Sequence, residues 1–200
     1  IVVTYGGDLG DPTDPTTQVL DDTLYVGDNS GTLRAIDTDD GSEQFAFIPP
    51  QLLKNSKEYF ENYADGERVY GLDGPITVWR KESNDKDINI EHTDGDHVYL
   101  YLGMRRGGNN YYALDVTDRN NPVLKWSIQG GVTEGFSDLG QTWSRPTRQL
   151  VNWKCDSDGE NCETKEVLFF SGGYDTIHDD AIEPTSYDLG AAIYMVDAET

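Results

Sequence analysis

Apolar residues in this chain come in runs of four to eight, rich in Val, Ile, Tyr, Phe and Trp and bounded by Gly, Asp, Asn and Pro. That is the pattern of short strands joined by turns. A cassette of strand, Gly turn, strand, Asp-containing turn and strand occurs three times. The first copy runs Thr23 to Gly27, Thr32 to Asp37, then Gly41 and Glu43 to Phe47. The second runs Val98 to Gly103, Tyr111 to Asp115, and Val123 to Ile128. The third begins at Val167 to Gly173 and resumes at Ala191 to Asp197. A further strand precedes each copy, at Ile1 to Tyr5, Ile76 to Trp79 and Ser144 to Val151, so the units start at 1, 76 and 144. Helical periodicity is confined to 51–63, after Pro49-Pro50.

Long-period self-similarity built of four-stranded units predicts an all-β chain, a β-propeller of antiparallel blades. About three blades are expected, at 1–50, 76–130 and 144–200, with 51–75 connecting the first two. The third lacks its last strand. Propellers close with about four to eight blades, so the expectation is a single partial propeller belonging to a longer polypeptide.

Charge narrows the partners. The chain has 15 basic and 37 acidic residues, a formal net charge of -22. Nucleic-acid affinity rests on Lys and Arg neutralising phosphates, so nucleic acid and anionic membranes are excluded as expected partners. No run approaches the roughly 20 apolar residues of a membrane helix, and no secretory leader pattern is visible at Ile1. Cys155 and Cys162 flank a Ser-Asp-Gly turn. Two readings stand: a disulfide pinching a hairpin in an oxidising compartment, or two free thiols in a cytosolic loop. The polar, exposed surroundings favour the bridge.

The candidate metal site is Asp85, Asp87, Asn89, Glu91 and Asp96. With Thr93, these supply oxygen at positions 1, 3, 5, 7, 9 and 12 of a calcium loop counted from Asp85. Ile90 stands where such a loop wants Gly, and Asp96 where it wants Glu; the alternative is a solvated hairpin turning at Asp94-Gly95. Asp156, Asp158 and Glu160, and the loop from Tyr174 to Asp180, are lesser acidic candidates. His92, His97 and His178 match no metalloprotease spacing, and no nucleophile elbow occurs. Arg105-Arg106-Gly-Gly lacks the rest of a phosphate loop and reads as a strand turn whose arginines pair with carboxylates. Trp126 and Trp143 read as packing residues. The long insertions 81–97, 153–165 and 174–190 are where binding is expected.

The spacing Ala35, Asp37, Gly41, Phe45 resembles the blade motif of quinoprotein-like propellers; Ala113, Asp115 and Trp126 repeat it, and Asp197 begins it again. Several longer strings occur in one order: 27–33, Ala46 to Pro49, Tyr70 to Pro75, Arg105 to Gly108, Tyr111 to Asp118, Leu139 to Ser144, and Gly172 to Asp175. That order resembles the C-terminal propeller of the PilC/PilY family of type IV pilus tip-associated adhesins and biogenesis factors. The resemblance implies a non-enzymatic, extracellular module at the pilus tip or outer surface of a Gram-negative bacterium. It also implies minor pilins and host or abiotic surfaces as partners, in adhesion and in pilus assembly or retraction. Calcium loops occur in that family, in the form Asp-x-Asn-x-Asp-Gly, which 85–96 does not match. The competing expectations are a pyrroloquinoline quinone dehydrogenase propeller, which typically has adjacent Cys beside its cofactor, and a lectin-like propeller.

Overall fold

A computed structural model describes residues 1–61, 68–83, 88–179 and 189–200. Among the described residues, eleven strands form three sheets. The first contains β1 (Val2–Asp8), β2 (Val19–Gly27), β3 (Leu33–Asp37) and β4 (Glu43–Phe47), in chain order. The second contains β5 (Ile76–Lys81), β6 (His97–Gly103), β7 (Asn110–Asp115) and β8 (Val123–Gln129), again in order. The third has β9 (Thr147–Cys155), β10 (Cys162–Ser171) and β11 (Ile193–Asp197). In the first and third sheets each strand pairs antiparallel with its neighbour in the chain. The 51–63 segment is helical through its described part, a 3-10 turn over Pro50–Asn55 leading into α1 (Ser56–Glu61).

The structure departs from the sequence reading in one instructive place. The expected loop at 153–165 is largely hairpin, because β9 and β10 stay in register out to Cys155 opposite Cys162. Glu163 and Thr164 are exposed and Lys165 is half-buried, so no apolar alternation marks this extension.

The chain divides into two compact units: Ile1–Asp73 with Val78–Leu100 and Leu114–Leu124, and Gly74–Thr77 with Tyr101–Ala113 and Lys125–Thr200. In the first unit Val3, Tyr5, Tyr25, Leu33, Ala35 and Val116 are buried. Full burial of a large apolar side chain contributes roughly 1.5–3 kcal/mol. The polar end of this core is satisfied. Tyr5 and Tyr25 hydroxyls lie 2.6 Å apart, and the Tyr5 hydroxyl donates to the Val116 carbonyl at 2.7 Å. Arg119 sits over the Tyr5 ring at 5.0 Å and pairs with Asp21 at 2.5 Å. Burial pushes the Tyr25 hydroxyl up to about 12 and drives Tyr5 upward too, the Tyr25 neighbour adding to it. Beneath, Gly31 turns with φ +83° at the place where Gly71 approaches; a Cβ on Gly71 would meet the Gly31 nitrogen at 2.4 Å. Only glycine allows that approach.

In the second unit Tyr101, Met104, Tyr111, Tyr112, Leu139, Leu168 and Phe170 are buried. Tyr111 lies against Phe170 with ring centres 4.3 Å apart, and its hydroxyl donates to the Ser144 carbonyl at 2.8 Å. The Tyr101 hydroxyl donates to the Ala198 carbonyl at 2.8 Å. Each ring thus buries its body while its hydroxyl keeps a partner.

Candidate functional site

The repeated motif residues do local work first. Asp37, Asp115 and Asp197 each end the third strand of their sheet, and each carboxylate accepts the backbone N–H two residues on, at 2.8, 3.0 and 2.7 Å. A short acceptor side chain stabilises such a turn without help from distant residues. Ala35 and Ala113 are fully buried. Phe45 and Trp126 lie on the fourth strands, with ring centres 6.1 Å from Tyr25 and 5.9 Å from Tyr101 respectively. Gly41 has φ +75° with open space around it, so the turn conformation alone calls for glycine there.

The same turn chemistry recurs between strands, and residue-type counting missed it. Asp8, Asp11, Asp14, Asp28, Asp40, Asp118 and Asp156 also accept the amide two residues on. The readable signal is Asp-x-Ser/Thr, as at Asp11-x-Thr13, Asp14-x-Thr16 and Asp28-x-Ser30. Hydrogen bonds from Ser30, Thr32 and Arg34 hold Asp28 below the usual carboxylate range, although partial burial opposes them. Much of the acidity therefore serves backbone amides.

The predicted calcium loop is occupied in the same manner. Asp96 is buried, and its two oxygens accept the amides of Ser83 at 2.6 Å and Glu91 at 2.9 Å. The Glu91 and Ser83 amides lower its pKa. Asn89 turns its side-chain oxygen to the Gly7 amide at 3.2 Å. Asn89 and Asp96 thus each hold a backbone amide, while Asp85 and Asp87 lie outside the described residues. Among the described residues no group of three or more His, Cys, Asp or Glu is arranged to hold a metal. Asp156 likewise folds inward, accepting from Glu160 N at 3.0 Å and from the Asn161 side chain at 2.6 Å. Asp175 is buried and bonds the amides of Ile177 at 3.1 Å and Leu189 at 3.2 Å, fixing both described ends of the last insertion.

Cys155 and Cys162 form a disulfide across the β9–β10 hairpin, their Cα atoms 4.0 Å apart. Their register makes them direct cross-strand partners. Two features remain on loops of the second unit. Arg105 and Arg106 sit in the turn between β6 and β7, as expected, and also lie over Trp143, 4.5 and 5.6 Å from a ring centre, a cation–π arrangement. Beside them a cleft of about 480 Å³ is lined by Tyr174, Asp175, His178 and Leu189. No helix among the described residues is long and apolar enough to cross a membrane.

No protein-family model matches the chain. Individual proteins do. The type IV pilus biogenesis factor PilY1 of Pseudomonas aeruginosa is 30% identical over 178 residues, 88% of this chain and 12% of that protein. A PilY1 homolog of Xylella fastidiosa is 36% identical over 124 residues, 62% of this chain and 9% of that protein. The crystal structure of the Pseudomonas aeruginosa PilY1 C-terminal domain superposes with a TM-score of 0.55 at 28% identity, covering 90% of this chain and 28% of that one. The chain thus spans about an eighth or less of the curated relatives' length.

Three antiparallel sheets with Asp-terminated third strands, matched over 90% of the chain to that domain, define an all-β module of the PilY1 C-terminal type. The chain belongs to the PilY1 family.

Proposed function

We propose that these residues are three successive blades of a β-propeller in a type IV pilus biogenesis factor. The module is a non-enzymatic, extracellular scaffold at the pilus tip, presenting its inter-strand loops to minor pilins or to a surface. The observation that carries this reading is the 30% identity to PilY1 over 88% of the chain, in a protein named for pilus biogenesis. The blade reading is supported by the sheet order, by the Asp37, Asp115 and Asp197 turns in equivalent places, and by the buried alanines two residues before Asp37 and Asp115. An exposed disulfide supports an oxidising compartment, since reducing cytosol disfavours such bridges.

The test is genetic. In the bacterium that encodes it, deletion of residues 1–200 from the complete protein is expected to abolish surface pili and twitching motility, with the rest of the protein still exported. Normal piliation and motility in that strain would remove the assignment.

A further inference from the structure

The third sheet narrows before it ends. β11 pairs with β10 only as far as Val167, whereas β9 and β10 stay paired out to Cys155 opposite Cys162. Among the described residues, the segment from Leu150 to Glu166 is therefore a two-stranded arm. None of residues 150–166 is buried. Its ladder is also interrupted: the register slips between Glu163 and Thr164, so that Trp153 has no residue directly opposite. A two-stranded hairpin in water is marginally stable, and its hydrogen bonds gain little where water competes for the same groups.

The turn at the tip is tied by Asp156, which accepts the Asp158 and Glu160 amides and the Asn161 side chain at 3.3, 3.0 and 2.6 Å. The rungs between that turn and the three-stranded part of the sheet are crossed by the disulfide. Cys155 is exposed and Cys162 half-buried, so an incoming thiolate reaches Cys155 Sγ without any opening of the sheet. Exposed bridges exchange more readily than buried ones.

We propose that Cys155–Cys162 is a thiol–disulfide exchange site for a dithiol, and that its redox state decides whether residues 152–164 form an ordered arm. One thiolate of the dithiol attacks Cys155 Sγ, forms a mixed disulfide and expels Cys162 as a thiolate. The second thiolate of the dithiol then attacks its own partner sulfur and expels Cys155. Two electrons pass to the protein, the dithiol becomes a disulfide, and its two protons end on the cysteines. Cys162 Sγ lies 3.7 Å from the Gly159 carbonyl oxygen, which can accept its S–H once the bridge is open. This inference does not rest on the pilus assignment, and either can fail alone.

The test is reduction of the full chain by dithiothreitol at mildly alkaline pH, with and without denaturant, each sample quenched with iodoacetamide and read by mass. Both cysteines should be labelled in the native protein at a rate within about tenfold of that in denaturant. A bridge that waited for global unfolding would instead react on the order of 10³-fold more slowly. Hydrogen exchange then reads the arm. On reduction, amides of 152–164 should lose protection by about tenfold or more, while those of 167–171 keep theirs. Cys155→Ser combined with Cys162→Ser should show the reduced pattern with no reductant present. Reduction gated by unfolding, an arm equally protected in both states, or a loss of protection spreading through 167–171 would each overturn the inference.

Discussion

β3 and β11 occupy the same place in their sheets and end on the same turn, yet they meet different surroundings. Counting back from Asp37 and Asp197, Leu33 corresponds to Ile193 and Ala35 to Met195. Leu33 and Ala35 are 0% exposed, whereas Ile193 is 82% and Met195 47% exposed. β3 is flanked by β2 and β4; among the described residues β11 has only β10 beside it. The lesson is that the strand and its turn are written locally, whereas burial is supplied by whatever covers the strand. An apolar edge strand left open is a template for further pairing.

Core truncation should give the largest effect and break the symmetry of the two strands. Leu33→Ala is expected to cost about 2–5 kcal/mol, the range for a buried leucine. Ile193→Ala should stay within roughly 0.5 kcal/mol. Chemical denaturation of both variants checks this; equal losses would mean that β11 is as covered as β3.

Next comes the disulfide, which restrains the third sheet where the first has none. Its ends are seven residues apart, and closing a loop of about eight residues is worth roughly 2.5 kcal/mol in the chain-entropy picture. Reduction should lower Tm by roughly 5–10 °C, with the first proteolytic cuts falling in the exposed β9–β10 hairpin. The same scan and digest with and without reductant decide it: an unchanged Tm would show that the sheet does not depend on the bridge.

The first sheet has its own lock. Tyr5→Phe removes the hydroxyl shared between Tyr25 and the Val116 carbonyl, and should cost about 1–3 kcal/mol. The pH sign follows from burial. The folded-state pKa of Tyr25 is raised to about 12 from 10.0, so its contribution is complete below 10 and disappears as pH rises toward 12. Alkaline unfolding in that window should therefore be cooperative, and Tyr25→Phe should flatten it. A pH profile unaltered by Tyr25→Phe would discard the lock.

Strand positions were legible as short runs of Val, Tyr, Leu and Phe bounded by Gly and Asp, as along Val98 to Leu102, where all but the half-buried Tyr99 are buried. The β9–β10 extension was not, because both its faces meet water and no alternation is demanded. The carboxylates were legible as charge and illegible as geometry. Asp96 and Asp175 look like surface acids in sequence, but each ties loop amides that lie several residues away. The Arg105–Trp143 contact joins positions 38 residues apart, and nothing in either local sequence announces the other.

Asp96 gives the smallest and most discriminating effect. Asp96→Asn keeps the shape but turns an N–H₂ toward one of the two donating amides, so at neutral pH it should cost about 1–2 kcal/mol. The folded carboxyl titrates below its ordinary value. Its contribution is therefore present above roughly pH 4 and is lost as pH falls through the folded pKa, where variant and wild type should converge. Added calcium separates the clamp from the metal loop. A clamp predicts that calcium leaves the Tm of the wild type unchanged. A calcium-dependent rise abolished by Asp87→Ala would instead make the 85–96 segment a cation site, and Asp96 would then be serving two masters at once.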